Sequence, residues 1–220
     1  MTNSNKSQTT MKMVQAALLT ALIFVLAFVP YVGYVKVPVL AIQATTVHIP
    51  VIIGSIILEP KYGAFLGGCF GLTSLINNTM SPGITSFVFS PFIEMGDGLG
   101  GSPLALIICF VPRILVGVVP YFVYKGIQKL LSNRPKGKPL SLMLAGIAGS
   151  ITNTLLVMGM IYVFFGHEYA AAKDIAYSTV LGIIGSVIAI NGTIEAVVAA
   201  LLSSAICMVL FKTVKTVQAK

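Results

Sequence analysis

The sequence predicts an all-α integral membrane protein, a six-transmembrane-helix bundle with both termini cytoplasmic, and three observations carry that reading. Only 9% of the 220 residues are charged while 56% are hydrophobic, and the mean hydropathy is +0.95. A water-soluble domain carries about a quarter charged residues to face solvent, so a soluble enzyme of this length is excluded. The apolar content excludes disorder as well. The second observation is that the apolar residues come in continuous runs, not in the alternation of an outer-membrane barrel. A span takes ~20 residues, so six use most of the chain and leave only short loops. The third is a strong charge difference between the loops on the two sides of the bundle.

Taken in order, residues 1–10 form a polar tail, 11–212 the membrane domain and 213–220 a basic tail. The first helix covers 11–29; it is long for a signal-peptide core and no small-x-small cleavage site follows it. Pro30, Gly33 and Pro38 end it. Residues 30–46 are irregular yet apolar, which suits a lid packed on protein or an interfacial segment. A short second helix over 47–58 opens with His48 and Pro50, and Glu59-Pro60-Lys61 makes a tight turn into a third helix over 62–77. Residues 78–102 mix Gly, Pro and Ser with Phe87, Phe89 and Phe92. Long irregular stretches are usually functional or disordered, and the aromatics argue against disorder. The fourth helix spans 103–131, a basic loop follows to 139, the fifth helix spans 140–165, and a polar connection over 166–177 leads to the sixth, 178–211.

With six spans, both termini and the connections at 59–61 and 125–139 share one side. That side holds Lys6, Lys12, Lys61, Lys125, Lys129, Arg134, Lys136, Lys138, Lys212, Lys215 and Lys220 against Glu59 alone. The other side holds Lys36 and Lys173 with Glu94, Asp97, Glu168 and Asp174. Basic loops stay in the cytoplasm, so both termini are expected there, and 30–46, 78–102 and 166–177 face outward. In a soluble protein the net charge of +8 would suggest nucleic acid; here it records topology, and no nucleic-acid partner is expected.

Two charges remain inside spans, Arg113 in the fourth helix and Glu195 in the sixth. A charge in a span costs several kcal/mol unless paired or hydrated, and so marks a site. One reading is a structural Arg–Glu pair tying two helices. The other is a polar pocket in which Arg113 meets an anionic or carbonyl-bearing ligand while Glu195 orients it or accepts ligand donors. Uncharged polar residues accompany them: Asn77 and Asn78 at the end of the third helix, Thr152 and Asn153 in the fifth, and Asn191, one turn from Glu195. Asn153 also suits a hydrogen bond between helices, and His48 suits an interfacial histidine, with no partner at metal-ligand spacing. Small residues recur four apart at Ala17 and Ala21, at Gly63, Gly67 and Gly71, at Ala145 and Gly149, and at Ala196 and Ala200, a pattern of close helix packing.

Missing motifs limit the function. The Gly137-Lys138 pair runs into Pro139, so there is no phosphate-binding G-x-x-x-x-G-K-[ST] loop. There is no H-E-x-x-H, and Cys69, Cys109 and Cys207 lie singly in apolar runs. Asp97 stands without a second aspartate cluster. No enzyme, metal site or bound cofactor is expected; a small-ligand-handling membrane protein is, and it needs outside energy to work uphill.

The segments ATTVHIPVIIGSIILEPKYGAFLGGCFGLTS, FVFSPF, GSITNTLLVMG and INGTIEAVVAA, with Ala17-x-x-x-Ala21 in the first helix, resemble the substrate-binding S components of energy-coupling factor (ECF) vitamin transporters, in their pantothenate/riboflavin-type branch. The resemblance covers nearly the whole chain. It implies a multi-pass protein of the bacterial cell membrane that binds a vitamin from outside and docks through Ala17 and Ala21 on an EcfT-type transmembrane coupling subunit. That subunit carries two ATPases, so ATP is used by the partners and not by this chain. The implied substrate is pantothenate, with Arg113, Glu195, Asn153, Asn191, Asn77, Asn78 and His48 as binding residues. Pyridoxine, hydroxymethylpyrimidine and riboflavin stay open as ligands, as do an ion-coupled solute carrier and a structural membrane subunit as classes.

Overall fold

A computed structural model describes residues 3–29, 33–37, 42–95, 99–131 and 137–218. Among the described residues eight α-helices form one bundle: α1 Asn3–Phe28, α2 His48–Leu58, α3 Pro60–Met80, α4 Leu104–Val116, α5 Val119–Leu130, α6 Gly137–Ala172, α7 Tyr177–Val187 and α8 Thr193–Gln218. Two of the six predicted helices are therefore broken. The fourth divides into α4 and α5, and the sixth into α7 and α8 around a π-turn at Ile188–Gly192. Between α4 and α5, Gly117 caps the first segment and Pro120, with no amide N–H to offer, opens the second. The connection expected at 166–177 is largely helical, since α6 continues to Ala172 past a local break at Phe165.

Four helical stretches among the described residues are long and apolar enough to cross a membrane, at 8–28, 104–130, 137–172 and 177–213. Their outward faces carry Leu18, Val163, Leu181 and Val209, all more than half exposed. In water such faces would be costly; in lipid they meet a like solvent. The chain is a multi-pass, essentially all-helical membrane protein.

A short apolar helix, α2, lies at the centre. Every residue of α2 except Ile57 is buried, as expected of a helix that is apolar all round. Its 11 residues rise about 16 Å, near half the hydrocarbon thickness of a bilayer. Beyond it lies a hairpin, β1 Tyr34–Val37 paired antiparallel with β2 Ile42–Thr45, Tyr34 opposite Thr45. A second, minimal hairpin joins β3 Glu94–Met95 to β4 Leu99–Gly100. Both fall in the connections expected to be irregular, 30–46 and 78–102. Asp97, Ser132, Arg134 and Lys136 lie outside the described residues.

Among the described residues the buried apolar side chains form two clusters. One surrounds α2 with Ile23, Leu66, Phe70, Val116 and Leu142. The other joins Phe87 and Val88 to Ile108, Val157, Ile161, Phe165 and Ile184. The glycines of α3 set the spacing between α3 and α4. A Cβ on Gly63 would strike the carbonyl of Gly117, one on Gly67 the carbonyl of Arg113, and one on Gly71 would lie 2.8 Å from the Phe110 ring. This small-residue ridge is internal packing. Gly149 and Ala145 serve likewise: a Cβ on Gly149 would lie 2.7 Å from Ile52 Cγ1 and Ala145 is fully buried.

The first half of α1, the α2–α3 turn, the start of α6 and the later part of α8 lie together at one end. There Lys12 Nζ meets Glu59 Oε1 at 2.6 Å and Lys138 lies 4.1 Å over the Phe211 ring. Glu59 adopts φ 85°, a region that disfavours side-chain-bearing residues. The hairpins occupy the opposite end.

A polar cavity between four helices and a hairpin

A cavity of about 460 Å³ opens between α3, α4, α6 and the α7–α8 junction. Its size lies at the small end of the range for small-molecule sites. Arg113, Glu195, Asn153, Asn191, Asn77 and Asn78 all line it. The residues that the sequence singled out from four separate helices are thus brought to one place, and α3 is a wall of the cavity alongside the three later helices. His48 does not line it: its ring is 1% exposed and lies against the Thr45 backbone. Thr152 is also elsewhere, its hydroxyl bonded to the Ala148 carbonyl.

Arg113 is placed by its neighbour in sequence. Pro112 has no N–H, so the Ile108 carbonyl one turn earlier loses its helical partner. Arg113 Nη1 donates to that carbonyl at 2.7 Å, and Nη2 reaches the Ser74 hydroxyl of α3 at 3.4 Å. The guanidinium sits between two rings, 5.5 Å from Phe70 and 5.3 Å from Phe89, in cation–π geometry. The Gly67 contact holds α3 close enough for Ser74 and Phe70 to reach it.

Glu195 is held from a different direction. Its Oε1 accepts the backbone N–H of Thr45 in β2 at 2.8 Å. Its Oε2 lies 3.2 Å from the Thr154 hydroxyl, whose single proton is shared with the Ser150 carbonyl, also at 3.2 Å. Arg113 and Glu195 therefore take hydrogen-bond partners from different elements, while the charge of the guanidinium still acts on the carboxylate. The π-turn before α8 contains Asn191, which lines the cavity with Glu195; π-turns are frequent at functional sites.

Asn78 organises the loop that follows α3. Its Nδ2 donates to the Ser74 carbonyl and its Oδ1 accepts from the Ser86 hydroxyl at 2.9 Å. Ser90 adds a bond to Thr79 at 2.7 Å. The loop's aromatics divide their tasks: Phe87 is buried edge-on against Phe165, Phe89 faces Arg113, and Phe92 is 73% exposed. Asn153 is 8% exposed, and its Oδ1 has no hydrogen-bond partner among the described residues. Sequence reasoning missed Phe70, Ser74, Thr154 and Thr45. Thr154 stands beside Asn153 and was open to discovery. Thr45 contributes a backbone N–H from 150 residues away, which no side-chain pattern reveals.

Ala17 and Ala21 are exposed, on a mostly apolar groove between α1 and α3 that Met13, Lys61, Tyr62 and Phe65 complete. Among the described residues no cluster of three or more His, Cys, Asp or Glu side chains has a metal-binding arrangement.

A helical membrane bundle that encloses a small, polar, charge-bearing cavity defines a class: a membrane subunit that binds a small polar molecule. Sequence comparison makes the class specific. The model of the ECF transporter substrate-specific component matches residues 11–207, and the chain belongs to that family, whose members are transporter components and not enzymes. It is 42% identical over 171 residues, 78% of this chain and 79% of the relative, to the "Pantothenic acid transporter PanT" of Lactococcus lactis subsp. cremoris. It is 28% identical over 195 residues, 86% of this chain and 87% of the relative, to the "Pantothenate transporter PanT" of Leuconostoc mesenteroides subsp. mesenteroides.

Proposed function

We propose that this chain is the pantothenate-binding S component of an ATP-driven importer in the bacterial cell membrane. The observation that carries the reading is the coincidence of a polar cavity containing Arg113 with 42% identity to a relative named for pantothenic acid. Pantothenate is a small anion with an amide and two hydroxyls, and Arg113, Asn153, Asn191 and Glu195 supply complementary groups. Asn77 and Asn78 complete the polar wall. His48 serves packing beneath the hairpin and not ligand contact.

The domain of residues 11–212 crosses the membrane six times, counting α4–α5 and α7–α8 as one crossing each and α2 with its hairpin as one. Both termini, the tails 1–10 and 213–220, and the basic end of the bundle are cytoplasmic, so the cavity opens outward. Loop charge supports this orientation. Ala17 and Ala21 receive an EcfT-type coupling subunit, since small side chains admit a close helix, and two ATPases bound to that subunit supply the energy. This chain needs no cofactor of its own.

The test is mass spectrometry of the ligand retained when the protein is purified in detergent, with its coupling partners tagged. Pantothenate in the protein and an ATPase pair in the eluate support the reading. Pyridoxine, hydroxymethylpyrimidine or riboflavin would replace the substrate, and an intact, transporting protein without ATPases would replace the mechanism.

A further inference from the structure

We infer that the cavity reads its ligand from two ends, with Arg113 taking the anionic group and Asn153 Oδ1 with Glu195 taking hydroxyl or amide donors at the other end. The inference rests on the pantothenate reading and adds an orientation and a basis for selectivity. Three observations carry it. Asn153 is more than nine-tenths buried, lines the cavity, and leaves its amide oxygen without a donor among the described residues. A buried acceptor without a partner is costly, and a donor on the ligand removes that cost. Glu195 accepts one bond at each oxygen, from Thr45 and Thr154; a carboxylate has room for about four, so acceptor capacity remains in the cavity that Asn153 also lines.

The third observation is that the two charges are anchored by different elements. Arg113 is anchored to α4 and α3 through Ile108 and Ser74. Glu195 is anchored to β2 and α6 through Thr45 and Thr154. The donor-rich cation and the acceptor group thus belong to different walls. A ligand with a carboxylate at one end and hydroxyls at the other satisfies both in one orientation only. Reversed, it sets its carboxylate against Glu195 and Asn153 Oδ1, acceptor against acceptor. For pantothenate this places the β-alanine carboxylate at Arg113 and the diol at Asn153 and Glu195.

The test is a crossed set of equilibrium binding measurements on the full chain in detergent. Three ligands are used: pantothenate, pantothenol (alcohol in place of the carboxylate), and the N-acyl-β-alanine in which hydrogen replaces both diol hydroxyls. The wild-type protein is expected to prefer pantothenate to each analogue by about tenfold to a hundredfold, the range for leaving a buried polar group unpaired. Asn153→Leu is expected to weaken pantothenate by a similar factor while changing the hydroxyl-free analogue by less than about threefold. Arg113→Gln is expected to erase the preference over pantothenol and keep the preference over the hydroxyl-free analogue. Equal binding of pantothenate and the hydroxyl-free analogue by wild type would overturn the inference with no variant needed. So would an Asn153→Leu loss that is the same for both, which would mark Asn153 as a shaping residue. Should wild type bind none of the three, the pantothenate reading falls and the orientation with it. Should it bind pantothenate without discriminating, only the orientation falls. Size-exclusion profiles identify a variant that does not fold, and the wild-type ligand series then decides.

Discussion

Two adjacent glycines on α3 are expected to respond in opposite ways to the same substitution. A Cβ at Gly67 would overlap the Arg113 carbonyl oxygen and lie 2.8 Å from both Arg113 C and Ile114 Cα. These are backbone atoms of α4, so no side-chain rotation relieves the overlap. Carbon atoms at rest need about 3.5–4.0 Å, so Gly67→Ala forces α3 and α4 apart by about 1 Å near Arg113. A gap of that size forfeits a quarter to a half of the dispersion energy of each contact it opens. Overpacking of this kind costs about 1–3 kcal/mol, and the movement also draws Ser74 and Phe70 away from the guanidinium. Gly68 has nothing within 4 Å of its Cβ position; Gly68→Ala is expected to be neutral or slightly stabilising, because alanine costs less backbone entropy in a helix. The assays are the thermal midpoint in detergent and equilibrium binding of radiolabelled pantothenate. Gly67→Ala should lower the midpoint by several degrees, at about 2–4 °C per kcal/mol for a chain of this size, and weaken binding about tenfold or more. A Gly67→Ala protein that melts and binds like wild type, or a Gly68→Ala protein that behaves like Gly67→Ala, would refute the account of how α3 positions Arg113.

Three further outcomes are expected. Ala17→Trp or Ala21→Trp fills the exposed groove beside Tyr62 and Phe65, so it should abolish ATP-driven uptake in the assembled complex and leave vitamin binding by the isolated chain unchanged; normal uptake would remove the docking role. Lys12 holds the Glu59 carboxyl below its ordinary range through their hydrogen bond, with Lys61 and Lys125 adding attraction. A depressed carboxylate stabilises the fold above its unfolded value and loses that contribution as pH falls through the lower folded value. Wild type should therefore lose stability in the acid range below pH ~4.3, whereas Lys12→Met should show a smaller loss, since only the Lys61 and Lys125 attraction remains. The effect should be about 0.2–1 kcal/mol and shrink in salt, because the pair is solvent-accessible; identical pH–stability curves would show that the latch contributes nothing. Cysteines introduced at Ser132 and at Lys173 should react with impermeant reagent from opposite sides of intact cells, and labelling of both from one side would reject the orientation.

Composition and hydropathy were enough to determine a membrane-spanning helical chain, because lipid leaves few solutions for the backbone. The same rule made Arg113 and Glu195 conspicuous, since a charge inside a span is rarely incidental. Asn77, Asn78, Asn153 and Asn191 followed as polar residues on apolar helices, and the cavity gathers all of them. Sequence spacing suggested how Gly63, Gly67 and Gly71 could act but not on which helix, and the structure sets them against α4. His48 shows the limit of reading residue types: its chemistry suits a ligand-binding group, yet its position at the start of a buried helix directs it into packing.

What the tertiary structure alone decided lies in contacts between segments distant in the chain. The Thr45 amide meets Glu195 across 150 positions, and Ser74 reaches Arg113 across 39. Neither Thr45 nor Ser74 is unusual in its local surroundings. The breaks that divide the fourth and sixth helices are of the same kind. Pro120 and Gly117 permit a break within the fourth, but the packing of Gly117 on Gly63 gives it a place. The sequence could therefore determine the solvent, the helical class and the residues under electrostatic pressure, since those depend on composition and local periodicity. Which side chains share a cavity depends on how helices cross, and that is set by many small packing contacts of which no single residue is diagnostic.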